Sequence, residues 1–93
     1  MFVHLAIHHP KPEHVGDLLA SMRRVDEAAA GAPGLVEIGA WRDQDSDRLV
    51  GLALWESEAA FQAAAPRIFA AVADDPFDEW WARPPEILHL TQP

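Results

Sequence analysis

Histidine and tryptophan side chains recur at alternate positions along the predicted strands. They are His4 and His8 near the N-terminus, Trp41 and Trp55 in the middle of the chain, and His89 near the C-terminus. Residues at alternate positions of a strand share one face of the sheet. Imidazole titrates near neutral pH, which suits it to general acid–base chemistry. We therefore predict that one face of the sheet forms a cavity wall or an interface.

Three histidines on this face are candidate general bases: His4, His8 and His89. The first and last strands are expected to be antiparallel neighbours. His4 and His89 would then oppose each other, with Cβ atoms about 5 Å apart. We expect this pair on the face away from the helices. The alternative is that these imidazoles only form hydrogen bonds at a dimer interface, and the sequence leaves both readings open.

Four further residues are expected on the same face and are candidates for substrate binding: Phe2, Glu37, Trp41 and Trp55. Glu37 would orient a histidine or bind a substrate hydroxyl, or else it lies in water at the open edge of the second strand. Indole rings combine a large apolar surface with one N–H donor. Trp41 and Trp55 are therefore expected in the cavity wall or in interface packing.

Metal and cofactor sites are not expected. The chain has no cysteine. His4 and His8 are four strand residues apart, about 13 Å, and cannot share one ion. A site built on His4 and His89 would lack a third ligand. Asp43 begins a stretch that resembles the start of a calcium loop, but Arg48 stands where that loop needs glycine. No glycine-rich phosphate loop is present.

The elements that position these residues follow from hydrophobic periodicity. Strands are predicted over residues 2–9, 35–42, 48–56 and 86–92, with one helix after the first strand and one after the third. Ser57 is expected to cap the second helix. Pro66 should kink or split that helix. A short turn follows, in which Trp80 and Trp81 form either a lid or plain packing.

This β-α-β-β-α-β order predicts an antiparallel sheet with strand order 4-1-3-2 and both helices on one face. The helices are expected against an aliphatic face made of Val3, Leu5, Ile7, Val36, Ile38, Val50, Leu52, Leu54, Leu88 and Leu90. The face with the histidines and tryptophans would then lack cover from its own chain. We expect a second copy to cover it through two-fold symmetry.

Length and composition bound the partners. The 93 residues predict a single domain spanning residues 1–93. The net charge is −8 with a single lysine, which disfavours nucleic acid and anionic membranes as partners. No apolar run reaches the roughly 20 residues of a membrane span. The N-terminus lacks the pattern of a signal peptide, so we expect a cytoplasmic protein. A hydrophobic content of 49% in so short a chain favours association.

With these elements placed, the chain resembles the antibiotic-biosynthesis-monooxygenase (ABM) branch of the dimeric α+β barrel superfamily. The resemblance rests on the element order, on the passage over residues 8–13, on Gly34 and on the exit from the third strand, Leu54-Trp55-Glu56-Ser57-Glu58-Ala59-Ala60-Phe61. It implies a ferredoxin-like α+β fold, homodimers and cavities between sheet and helices. Members of the family include oxygenases that act on polycyclic phenols without metal or flavin, and haem-degrading enzymes.

The sequence departs from the active members of that family. It contains no Asn and no Tyr, so the roles of those residues cannot be carried over. Haem degradation would need an axial histidine in the second-helix region, and residues 57–85 contain none. The resulting hypothesis is a cofactor-independent monooxygenase that acts on an aromatic or quinone-like molecule. The alternatives are a non-catalytic homodimer that binds a small ligand, and a purely structural module.

Overall fold

Four strands form one antiparallel sheet in the order β2-β3-β1-β4. The computed structural model describes all of residues 1–93. The strands are β1 (Phe2–Pro10), β2 (Leu35–Arg42), β3 (Leu49–Trp55) and β4 (Trp81–Thr91). The helices are α1 (Val15–Ala29), α2 (Glu58–Ala70) and the short α3 (Phe77–Trp80), and a 3-10 turn (Pro12–His14) precedes α1. The predicted α+β fold and strand order are confirmed.

The helices cover the face that carries the histidines, so the predicted assignment of the two faces is wrong. The His4 ring stacks on Phe61 of α2, with ring centroids 4.8 Å apart. A Cβ built on Gly51 of β3 would lie 3.4 Å from the Met22 Cε of α1. The main core cluster joins this face to the helices and their flanking loop, and comprises Phe2, Ala29, Ala32, Ala53, Trp55, Ala64 and Ile68.

The aliphatic residues that were expected under the helices, with the exception of Ile38, instead form a face on the opposite side of the sheet. Val3 pairs with Leu54 and Leu90, and Leu5 pairs with Leu52 and Leu88, so these residues form continuous rows across the strands. Several members of this face are substantially exposed, among them Val36, Leu88 and Leu90.

Side-chain volume explains the error. Both faces of the sheet are apolar, so strict alternation identifies which residues share a face but not which face turns inward. The helix-facing side carries the bulky Phe2 and Trp55 beside the small Ala6, Gly51 and Ala53. Large and small side chains together let two helices approach the sheet and fill the space beneath them.

A β-bulge in β2 changes the phase of that strand. Leu35 pairs with Trp55 and Glu37 pairs with Leu54, so one residue of β2, Val36, has no partner. Such an extra residue bends the strand and resets its alternation. Leu35 and Ile38 consequently pack on the helix side, whereas Val36 is 49% exposed.

The ends of the later elements differ in part from the predicted ones. The Ser57 hydroxyl accepts a hydrogen bond from the Ala60 N–H at 3.1 Å, which confirms the predicted cap. Helix α2 runs without interruption through Pro66, which is exposed on its surface. The carbonyl that loses its donor there can bond to water. Strand β4 begins at Trp81 and includes Pro84 and Pro85, which were expected to precede it; prolines are tolerated because β4 is an edge strand.

An ion pair fastens the segment between α2 and α3 to α1. The Arg24 guanidinium donates to both carboxylate oxygens of Asp75, at 3.1 and 2.7 Å. Bidentate pairs of this kind are directional as well as attractive. The same segment leads into Phe77, which packs beside Leu18 and Met22 in a second core cluster.

None of the helices is both long and apolar enough to cross a membrane.

Two glycines between α1 and β2 offer a matched test of how closely the start of β2 approaches α2. Gly31 has φ +78° with open space where a Cβ would stand, and Gly34 has φ +82° with the Ala60 Cβ 2.6 Å from that position. Gly31→Ala should lose about 1 kcal/mol of unfolding free energy, because only the positive φ is penalised. Gly34→Ala should lose at least about 1 kcal/mol more, because it also clashes with α2.

Urea denaturation of both variants measures the two losses. Equal losses for Gly31→Ala and Gly34→Ala would contradict the close approach of the β2 entrance to α2.

Candidate active site

A cavity of about 340 Å³ lies between the sheet and the helices. This volume is at the lower end of the roughly 300–1,000 Å³ typical of small-molecule pockets. Most of its lining is hydrophobic, and the polar side chains are few. The lining includes His4, His8, Ser21, Met22, Val25, Asp26, Trp55, Phe61, Phe77 and Trp81. The arrangement suits a flat apolar molecule held by a small number of polar contacts.

His4 and His89 face each other across β1 and β4 at this cavity. They are direct partners in the strand register, and His4 Nδ1 lies 2.9 Å from His89 Nε2. The predicted pairing is confirmed, whereas the predicted position away from the helices is wrong. His4 is half-buried and lines the cavity, while His89 is exposed behind it and does not. The structure therefore places only one member of the pair in the cavity wall.

The short N–N distance fixes complementary roles for the two rings. One nitrogen donates a proton and the other accepts it. If His4 Nδ1–H donates to His89 Nε2, the lone pair of His4 Nε2 stays free. Burial lowers the pKa of His4, and the neighbouring His89 lowers it further. A neutral His4 is thus favoured, and this state can accept a proton.

His8 lies further along β1 and has a different environment. Burial lowers the pKa of His8 to about 4, with smaller contributions from His9 and His4. The Trp81 indole N–H donates to His8 Nδ1 at 3.3 Å. That bond occupies one ring nitrogen, so neutral His8 carries its proton on Nε2. His8 is consequently suited to donate a hydrogen bond and poorly suited to act as a base at neutral pH.

Trp55 and Phe2 support the histidines from below. Trp55 is 1% exposed and lines the cavity, and its buried Nε1–H has no hydrogen-bond partner. Buried donors without partners are rare in folded proteins, and a ligand with an acceptor atom would supply what this one lacks. Phe2 is equally buried and packs against Phe61 and His89 at centroid distances of 5.3 Å, outside the cavity lining.

Glu37 and Trp41 lie on the other face of the sheet, so the structure does not bring them together with the histidines. Trp41 pairs with Val50 in the β2–β3 register, and its side chain is 61% exposed. Glu37 pairs with Leu54 and is also exposed. The prediction that they share a face with His4 is wrong, because the β2–β3 register places Glu37 opposite Leu54 and Trp41 opposite Val50.

Two polar residues of α1 were missed by the sequence analysis. Ser21 and Asp26 line the cavity beside Met22 and Val25. Burial raises the pKa of Asp26. The helical spacing contained the signal, because positions 18, 22 and 25 make an apolar stripe in which 21 and 26 are neighbouring positions. Their polar side chains do not belong to an apolar pattern, so hydrophobic periodicity alone does not select them.

Trp80 and Trp81 were predicted to form either a lid or plain packing, and Phe77 was not predicted at the cavity. Trp81 stacks on Phe77 with centroids 5.2 Å apart, and both residues line the cavity. Trp80 packs edge-on against Phe77 at 5.6 Å and stays outside the lining. Trp81 was treated as a residue of a turn, yet it is the first residue of β4 and reaches His8. The structure contains no group of three or more metal-ligating side chains placed around a common point.

The chain also matches the model of a known protein family. The family model described as "Antibiotic biosynthesis monooxygenase" matches residues 1–65. A search of curated proteins gave no match.

Solved structures with a similar fold include three bacterial proteins. Rv0793 from Mycobacterium tuberculosis superposes with a TM-score of 0.82 at 18% identity, covering 98% of this chain and 93% of its own. PA3566 from Pseudomonas aeruginosa gives 0.82 at 14% identity, with coverages of 98% and 92%. A variant of SnoaB, described as a cofactor-independent oxygenase from Streptomyces nogalater, gives 0.79 at 18% identity, with coverages of 98% and 91%. The family match extends over most of the chain, and this protein belongs to the antibiotic biosynthesis monooxygenase family.

Proposed function

We propose that the protein is a cofactor-independent monooxygenase that oxidises an aromatic or quinone-like molecule bound between the sheet and the helices. The observation that carries the proposal is the His4–His89 pair, 2.9 Å apart, at the wall of a largely apolar cavity. Membership of the ABM family supports it. So does the likeness in fold to SnoaB, whose description names a cofactor-independent oxygenase.

His4 Nε2 is the proposed base. A phenol or an activated ring carbon loses its proton to this nitrogen, and the charge on His4 is then stabilised through the Nδ1–H bond to His89. A base whose pKa lies near or below neutral is unprotonated, and therefore available, at neutral pH. His89 does not line the cavity, so its proposed role is to position His4 and to fix its tautomer.

Oxygen chemistry follows from the anion. The substrate anion transfers an electron to O₂, and the two radicals combine to give a peroxide anion on the substrate carbon, which takes the proton held on His4 and becomes a hydroperoxide. His4 Nε2 then removes the second proton from that carbon, and the O–O bond breaks. One oxygen atom remains as a carbonyl, and the other leaves as hydroxide, which takes this second proton from His4 and becomes water. A CH₂ group and O₂ thus give C=O and H₂O.

The rest of the lining serves binding. His8 is proposed to donate a hydrogen bond from Nε2–H to a substrate oxygen, because Trp81 holds its other nitrogen. The unpartnered Trp55 N–H is proposed to donate a hydrogen bond to a carbonyl oxygen of the substrate. Apolar side chains around these groups exclude water and strengthen each polar contact.

Substitution of the proposed base tests the mechanism. With anthrone as a three-ring probe, His4→Gln should lower kcat for oxygen uptake by about 10²–10⁴-fold, because general base catalysis is lost. KM should change little, since the cavity keeps its shape. His89→Gln should lower kcat less, because it only disturbs the orientation of His4. An oxygen electrode measures all three proteins.

His14→Gln is the matched control, because His14 lies outside the cavity and pairs with Asp17 at 2.8 Å. It should retain wild-type oxygen uptake. Full activity of His4→Gln would contradict the proposed base. Binding of anthrone by the wild type without any oxygen uptake would favour the non-catalytic ligand-binding protein instead.

We also propose that the aliphatic face of the sheet is the homodimer interface. Its residues form continuous rows and include the exposed Leu88, Leu90 and Trp41. Solvent contact with so much apolar surface is unfavourable, and a second copy related by two-fold symmetry would remove it. The proposed partner surface is thus the opposite face from the one that strand alternation had favoured.

A charge introduced on this face should prevent the association. Leu88→Glu places a carboxylate at the β4 end of one of these rows and should convert a dimer into a monomer, because an unpaired charge is costly to bury. Ala59→Glu, on the exposed surface of α2, should leave the dimer intact. Sedimentation velocity distinguishes the two states. A monomeric wild type, or a dimeric Leu88→Glu, would contradict the proposed interface.

A further inference from the structure

Asp26 is a carboxyl group in the wall of the apolar cavity. It is half-buried and follows Met22 and Val25 on the side of α1 that lines the cavity. A stripe position of this kind normally holds an apolar side chain. A carboxyl group there loses hydration when it is charged, and burial accordingly raises the pKa of Asp26.

Nothing in the chain compensates the charge of this carboxylate. No ion pair of the structure includes Asp26. Arg24 on the same helix is engaged by Asp75. The lining of the cavity contains no Lys and no Arg. Its other titratable groups are His4 and His8, and burial lowers the pKa of both. Asp26 is therefore the only acidic side chain of the lining, and no Lys or Arg lies beside it there.

We propose that Asp26 sets the ligand specificity of the cavity, by selecting aromatic molecules that carry a protonated amine and rejecting those that carry a carboxylate. The inference rests on the proposed role of the cavity as a ligand site and specifies the class of ligand. An ammonium group would donate a charge-assisted hydrogen bond to the carboxylate while the ring lies against the apolar lining. A ligand carboxylate would meet a like charge in a partly desolvated site.

Three naphthalene probes with the same ring test this selectivity. They are 1-naphthylmethylamine, 1-naphthalenemethanol and 1-naphthaleneacetate (the carboxylate of 1-naphthaleneacetic acid), which are cationic, neutral and anionic at pH 7.5. Isothermal titration calorimetry gives a Kd for each probe with the wild type, Asp26→Asn and Glu27→Gln. Glu27 is the exposed neighbour of Asp26 on the same helix, so its variant makes the same change in net charge away from the cavity.

The wild type should bind the amine most tightly and the acetate most weakly. Asp26→Asn should reduce the ratio of the acetate Kd to the amine Kd by roughly tenfold, the size expected when a hydrogen bond to a charged group is lost. The neutral alcohol should report little change, and Glu27→Gln should keep the wild-type ratio.

An unchanged ratio in Asp26→Asn, or an equal change in Glu27→Gln, would overturn the inference. Failure of all three probes to bind the wild type would overturn it as well. The oxygenase proposal fails by a different observation, the absence of oxygen uptake. If the ratio of the acetate Kd to the amine Kd falls in Asp26→Asn while the wild type takes up no oxygen, the specificity of the cavity is established and only the catalytic step is contradicted.

Discussion

The packing of Trp55 and Phe2 beneath the helices is the constraint on which the rest of the structure depends. Both side chains are almost fully buried in the core cluster that joins the sheet to α1 and α2. Because alternate residues of a strand share a face, burying Phe2 also turns His4 and His8 toward the helices. The same choice exposes Leu88 and the other aliphatic residues on the far side. The burial of Phe2 and Trp55 therefore determines where the histidines, the cavity and the proposed dimer surface lie.

That arrangement gives up some stability at the site. A buried N–H without a partner, as at Trp55, costs about 1–3 kcal/mol. Burial of His4, His8 and Asp26 disfavours the charged form of each. Such groups are unfavourable in a purely structural core, where they would be replaced by apolar side chains. Their concentration around one cavity is the physical argument that the space between sheet and helices is kept for a ligand.

Much of this fold could be predicted from the sequence, because it follows from local patterns. Alternation and turn residues gave the four strands and their order, and the pairing of His4 with His89 followed from that order alone. The Ser57 cap was evident from residue type and position. The orientation of the sheet could not be obtained in this way, since both faces are apolar and periodicity is symmetric between them. The decisive quantity was side-chain volume under the helices.

The site was predicted less completely, for two physical reasons. The register of the β2–β3 hairpin places Glu37 and Trp41 on the outer face, and the bulge at Val36 leaves Leu35 on the helix side; no sequence pattern marked either feature. Asp26 and Trp81 reach the cavity from a helix and from the start of an edge strand, so their place in its lining depends on tertiary packing.

The most direct test of this account is an NMR titration that follows the tryptophan indole N–H resonances while 1-naphthol is added. Trp55 and Trp81 line the cavity, whereas Trp41 lies on the opposite face of the sheet. We predict that the Trp55 and Trp81 signals shift with a common saturation curve while the Trp41 signal stays in place. A shift confined to Trp41 would place the ligand on the outer face and contradict a ligand site between the sheet and the helices.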